Sequence, residues 1–320
     1  IIVLITTVSI VAATRPTYEF PNHSAGPEVK IEVDPGESGW SIAQKLESSG
    51  VVQRASKFAA LATRDKRALA ISPGSHRIQT HITTVEALNQ LLDQSRLGQL
   101  NIVKEGTTYS DVLTLLSHDP NIVKDNKLVP PLLKNSSNSL EGQLFPASYT
   151  FASGTPRSTA LAAMVKKFGT TSASVGLEKG FEKYSPYQVL IVASMVQIEG
   201  DPSDYPRVAG VIYNRLKIGM PLQLNSTVQY AANLRGKIFL STKATQFNSP
   251  YNTYKHVGLT PTPISNPGKM AIEAALHPEK HGYLYFITVK PGDTRFTKDF
   301  TEFGKWVEEY NKNLAAGKFK

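Results

Sequence analysis

The sequence predicts an α+β protein: a small α+β module, a larger α+β domain built on one buried helix, and an apolar segment ahead of both. Three observations carry this expectation. Val29 to Val33 alternates apolar and polar, and an Asp34-Pro35-Gly36 turn and a helical pattern follow it. Val189 to Val196 is apolar at nearly every position, which marks a helix buried all round. Ser185-Pro186 supplies that helix with an N-cap and a first-position proline, and Gly200-Asp201-Pro202 stops it.

The 320 residues suffice for two or three domains, and contents of 41% hydrophobic and 19% charged fit a folded chain. No cysteine is present, which excludes disulfides, thiol nucleophiles and cysteine-ligated zinc. The net charge of +9 suits an anionic partner such as lipid or a cell-wall polymer. No basic run interleaved with aromatics occurs, so we expect no nucleic-acid partner.

Residues 1–14 open with IIVLITTVSIVAA, shorter than the roughly 20 residues that cross a bilayer. We read them as the outer end of a truncated transmembrane helix or signal anchor; a signal-peptide core and a buried strand are the alternatives. Residues 15–27 form a linker rich in turn formers. Either targeting reading places the remainder outside the cytoplasm, and the transmembrane reading holds it to the cytoplasmic membrane by a single pass.

A module is expected over 28–139. After the first strand, Ser38 to Leu46 continues as a helix with Ile42, Ala43 and Leu46 inward. Helical spacing resumes from Ser56 to about Asp65, a short strand returns near Gly74–Ile78, and Thr84 to Leu92 is amphipathic. A second strand, glycine turn and helix run from Leu100 to Leu116, a duplicated element. Pro130-Pro131 and Asn135-Ser136-Ser137-Asn138 mark the boundary to a domain at 140–320.

In that domain, Thr159–Phe168 and Val175–Tyr184 read as helices, followed by the buried helix and a second one from Asp204 to about Leu216. Lys269–Leu276 reads as a short helix, Tyr283–Val289 as a buried strand and Thr301–Lys312 as a closing helix. Met220–Tyr230, Ser249–Tyr254 and Gly258–Gly268 carry amides, hydroxyls and tyrosines, the inventory of a sugar groove. Glu199 stands alone at the end of the greasy run. Apolar surroundings raise a carboxyl pKa and suit it to general-acid work; the alternative is a solvated helix end.

Other constellations carry less. His277 and His281 are four apart, but Pro278 and Gly282 make a loop of them, so no metal site is expected. No phosphate-binding glycine loop occurs, and Ser194 lacks a nucleophile-elbow context. No cofactor is expected.

The segments EGQLFPASYTF, ASMVQIEG, VAGVIYNRLKIGMPLQLNSTVQY, SPYNTY, GLTPTPISNPG and TEF, from Glu141 to Phe303, resemble in order those of the endolytic murein transglycosylases, or YceG-like proteins. The strand, Pro-Gly and helix at Ile31 to Leu46 resemble that family's LysM-like module. The resemblance implies a membrane-anchored lytic transglycosylase. Such an enzyme cleaves the β-1,4 bond between N-acetylmuramic acid and N-acetylglucosamine in peptidoglycan without water, leaving 1,6-anhydro ends and so terminating or trimming nascent glycan strands. It implies partners among peptidoglycan glycan strands, peptidoglycan synthases and other elongation or division proteins. One carboxylic acid serves as acid and then base, unlike the carboxylate pair of ordinary glycosidases.

The family's helix motif has two acidic positions, matched here by Gln197 and Glu199, and the resemblance gives Glu199 the catalytic role. It implies substrate contacts at Gln223, Asn225, Thr227, Tyr230, Tyr251, Asn252 and Thr253, and supporting roles for Gln197, Asn214, Arg215 and Glu302. Each could instead stabilise a loop by hydrogen bonding. Asn225 and Ser226 stand where the family often has Asp and Pro, and Ala147-Ser148 replace an Asp-Thr pair. A hydrolase that uses Glu199 with water, with Asp201 or Asp204 as second carboxylate, is one alternative. A non-catalytic glycan-binding scaffold is another.

Overall fold

The structure, a computed structural model, describes residues 19–21, 25–34, 36–134, 137–234 and 244–319. Residues 1–14, the expected membrane segment, lie outside that set. Among the described residues no helix is long and apolar enough to cross a membrane. The chain forms two compact units: described residues up to Leu100 with Thr150–Ser153, and Asn101–Tyr149 with Gly154 onward.

In the first unit, β1 (Glu28–Val33) pairs antiparallel with β2 (Gly74–Gln79), and α1 (Gly39–Ser48) and α2 (Ala55–Arg64) lie between them in sequence. The order is therefore strand, two helices, strand. Helix α1 starts where Ser38 Oγ accepts from Ser41 N. Ile31 and Val33 of β1, Leu46 of α1 and Phe58 of α2 are all buried, as the strand alternation and helical spacing require. Leu88 and Leu91 of α3 (Thr84–Leu92) complete the same core.

The second unit begins with β3 (Leu100–Val103) and α4 (Tyr109–Ser117), whose N-cap Thr108 forms a capping box with Asp111. The duplicated element therefore does not stay with 28–99. The reason is bonding: Gly106 N donates to Asn266 O (2.9 Å), and Tyr109 N to Glu141 Oε1 (3.0 Å). Two short pairs follow, β3 with β5 (Ala147–Thr150) and β4 (Ile122–Val123) with β6 (Thr155–Pro156), then α5 (Arg157–Ser174).

Helix α6 (Pro186–Glu199) is the axis of this unit. Ser185 caps it in a capping box with Gln188, and every residue from Val189 to Val196 is buried. Helix α7 (Tyr205–Lys217), α8 (Asn225–Ala231) and α9 (Lys269–Leu276) pack on α6. The chain closes with the hairpin β7 (Tyr285–Lys290) and β8 (Asp293–Thr297) and with α10 (Phe300–Ala315).

Three sequence expectations change. Val175–Tyr184 is no helix beyond the single turn Leu177–Lys179, because Gly176 (φ +77°), Gly180 (φ +65°) and Glu182 (φ +48°) take left-handed backbone. Strand β7 is half-buried rather than buried: among the described residues it pairs with β8 alone, and it stacks Tyr285 on Phe303 of α10 at 5.2 Å. Helix α8 forms where no helix was expected.

The loop before α9 is sewn to the core by buried polar groups. Ile264 N donates to Ser194 Oγ (3.0 Å), and Ser265 Oγ donates to Ser194 O (3.0 Å). Asn266, fully buried, accepts from Leu144 N (2.9 Å) and donates to Thr107 O (3.0 Å). Replacing Asn266 by Ala leaves the Leu144 amide buried without its acceptor. We expect urea denaturation to show a loss of about 1–3 kcal/mol, against none if the loop is held otherwise.

Candidate active site

Glu199 is the last residue of α6, so its carboxyl sits where the apolar helix meets the surface. The residue as a whole is half-buried, and protein packs densely round its carboxyl. Its Oε1 accepts from Ser226 Oγ (2.5 Å) and Ser226 N (3.3 Å), both on α8. Burial pushes the Glu199 pKa up, and the Ser226 bonds and the charge of Arg215 offset this only in part. The direction of this shift is the one a general acid needs.

Arg215 on α7 is 7% exposed and spends its donors on carbonyls: Nε on Leu284 O (2.6 Å), Nη1 on Leu222 O (2.6 Å). Its guanidinium lies 5.3 Å from the centre of the Tyr285 ring. Desolvation lowers its pKa. It braces the chain on either side of the site and sets a positive charge near Glu199.

Gln197 is a brace too. Its Nε2 donates to Tyr205 OH (2.7 Å) on α7, and its Oε1 accepts from Gly268 N (2.8 Å) at the start of α9. Asn214 donates to His281 O (2.9 Å) and Tyr283 O (3.0 Å), fixing the approach to β7. The loop that carries His277 and His281 is therefore pinned to α7.

The expected sugar contacts divide in two. Gln223 and Asn225 are exposed and flank the site; Gln223 has left-handed backbone (φ +49°) and its N donates to Thr253 O (3.1 Å). Asn225 Oδ1 accepts from Tyr254 OH (2.6 Å), and burial and the Glu199 charge raise the pKa of Tyr254. Thr227, Asn252 and Thr253 are buried (0%, 0% and 2% exposed) and build the wall instead. Thr253 Oγ1 lies 2.9 Å from Thr227 Oγ1 and accepts from Leu224 N (3.0 Å), and Asn252 Nδ2 holds the Thr245 and Phe247 carbonyls. Tyr230 and Tyr251 are half-buried with ring centres 5.2 Å apart; Tyr251 OH bonds Thr262 Oγ1 (2.8 Å).

Glu302 lies elsewhere. It is the exposed third residue of α10, where its N donates to Asp299 Oδ1 (2.9 Å) and its Oε2 accepts from Thr297 Oγ1 (2.6 Å). Its amide is capped by Asp299, and its carboxylate ties the start of α10 to the end of β8. Three site residues were missed in the sequence: Ser226, Tyr254 and Glu141, whose Oε2 accepts from Tyr230 OH (2.9 Å). All three fall inside segments that the resemblance picked out.

A raised native pKa makes the folded state hold a proton that the unfolded chain has already lost. Stability therefore falls as pH rises from the ordinary carboxylate range through the raised value. Glu199→Gln removes this cost and keeps an acceptor for Ser226. We expect its melting temperature to match the native chain's at about pH 4, where both glutamyl states are largely protonated, and to exceed it at about pH 8. An equal difference at both pH values would contradict the assignment.

Residues 31–309 match the YceG-like family. The chain is 42% identical over 179 residues to the endolytic murein transglycosylase of Bacillus subtilis (strain 168), covering 55% of this chain and 49% of that protein. It is 28% identical over 330 aligned positions to the endolytic murein transglycosylase of Streptococcus pneumoniae (serotype 2, strain D39), covering 90% of this chain and 58% of that protein. The chain thus spans about half the length of these relatives (49% and 58%). The crystal structure of the yceG-like protein lmo1499 from Listeria monocytogenes superposes with a TM-score of 0.57 at 27% identity, covering 88% of this chain and 99% of that one. With a match of that extent over the described fold, this chain belongs to the YceG-like family.

Proposed function

We propose that this chain is an endolytic peptidoglycan lytic transglycosylase in which Glu199 acts first as general acid and then as base. The observation that carries the reading is the single carboxyl at the end of α6, raised in pKa by burial and bonded to Ser226, with Tyr254 and its partner Asn225 beside it. The endolytic murein transglycosylases matched above support the substrate: glycan strands of alternating N-acetylmuramic acid and N-acetylglucosamine.

Protonated Glu199 donates to the glycosidic oxygen as the muramoyl C1–O bond breaks. The C6 hydroxyl of the same muramoyl ring attacks C1, and the Glu199 carboxylate takes its proton. One bond breaks, one forms, the acid is regenerated and no water enters. A water-using hydrolase needs a second carboxylate at a fixed separation. Of the two expected candidates, Asp204 pairs with Arg207 (3.5 Å) and Asp201 is exposed.

The first unit's order of strand, two helices and strand supports a LysM-like glycan-binding module. Between α1, α2 and the turn after β1 lies an open cleft of ≈ 600 Å³ where Trp40 stands 52% exposed, an aromatic face suited to a sugar ring. Peptidoglycan synthases and division proteins are proposed partners, and the +9 charge favours an anionic wall. The reading places the site outside the cytoplasm, tethered to the membrane through the apolar residues 1–14.

Purified peptidoglycan incubated with the protein should yield 1,6-anhydro-muramoyl ends detectable by mass spectrometry. With Glu199→Gln these should fall by about 10²–10⁴-fold, the scale of a lost general acid. Reducing ends in their place would establish the hydrolase. Binding without cleavage would establish the scaffold.

A further inference from the structure

We propose that Ser226, held in place by the Glu141–Tyr230 pair, is a positioning residue that fixes which oxygen of Glu199 carries the acidic proton. The inference rests on the catalytic reading of Glu199. Both donors of Ser226, its hydroxyl at 2.5 Å and its amide at 3.3 Å, go to the same oxygen, Oε1. Oε2 takes no hydrogen bond among the described residues. A carboxyl places its proton on the oxygen that is not already accepting, so the proton resides on Oε2. The same oxygen is then bare when the proton has gone to the leaving group, and is free to accept the next one. Ser226 keeps its bond to Oε1 through both steps and need not turn between them.

The serine needs to be held, because its own helix is weak. Helix α8 has seven residues and no side-chain N-cap. A helix so short is marginal on its own and takes its position from tertiary contacts. Tyr230 lies four residues after Ser226, on the same face. Its hydroxyl donates to Glu141 Oε2 (2.9 Å), and the other Glu141 oxygen accepts from Tyr109 N (3.0 Å), the first residue of α4. Glu141 is 3% exposed, and a buried carboxylate of that kind is held by its donors. One face of α8 is thus pinned at two points, to Glu199 and to Glu141.

Glu199 is faced by Arg215 from α7, Tyr254 from the loop before α9 and Ser226 from α8. Glu141 and Tyr230 are faced by Tyr251 and by Tyr187 of α6. Of these, only Ser226 donates a hydrogen bond to Glu199.

The test is a pH titration by NMR of protein carrying ¹³C at the glutamate side-chain carboxyls. The Glu199 resonance is assigned by its loss in Glu199→Gln. Ser226→Ala removes a donor that favours the charged form, so the Glu199 midpoint should move up. Ser226→Thr should restore it, and Tyr230→Phe should move it the same way by less. On peptidoglycan, Ser226→Ala should lower kcat about 10- to 100-fold with KM unchanged, the cost of a misaligned acid. A Glu199 midpoint unmoved by both Ser226→Ala and Tyr230→Phe overturns the proposal. So does a lowered Tm in these variants with an unmoved midpoint, which would make the tethers structural only. Failure of the catalytic reading would show separately, as activity retained in Glu199→Gln, while the titration still decides the role of Ser226.

Discussion

The second unit depends on one helix that is buried all round and ends in a carboxyl. Van der Waals contact and apolar burial along Val189–Val196 fix the axis of α6, and that axis fixes where Glu199 emerges. A charged carboxylate in that position loses hydration that its neighbours restore only in part. The same burial that holds the helix therefore favours the protonated form of the acid. Stability of the scaffold and reactivity of the site have one physical origin.

Polar side chains on and around α6 tie the neighbouring loops to it. Ser194 and Gln197 use their side chains on the backbone of the loop before α9 and on its first turn. Arg215 and Asn214 hold the segments that lead into α8 and β7. Thr227 and Thr253 join α8 to the Tyr251–Tyr254 turn. Buried polar groups of this kind are costly when unpaired, so each one specifies a single arrangement of loops that sequence-local forces would leave variable.

The elements legible in the sequence were those with strong periodicity and caps. Helices α3 and α9 begin and end where the apolar spacing says, and Ser38, Thr108 and Ser185 cap the helices they precede. What the periodicity could not show was set by tertiary contact. Helix α8 has a weak local pattern and forms because Ser226 and Tyr230 find carboxylates on other elements. Val175–Tyr184 has helical spacing but is overruled by two glycines in left-handed backbone. The acid itself was legible, as a lone carboxylate after an apolar run. Its partner Ser226 was not, since a serine beside an asparagine carries no pattern. Thr227, Asn252 and Thr253 were expected at the sugar and are buried in the wall, because hydroxyls and amides serve either use equally well.

The account's central claim is that one carboxyl performs both proton transfers and that no water takes part. Digestion of peptidoglycan in ¹⁸O-labelled water tests it most directly. The account requires new muramoyl ends that are anhydro and free of label. Labelled reducing ends, formed at the rate of cleavage and lost in Glu199→Gln, would contradict it and assign Glu199 to hydrolysis.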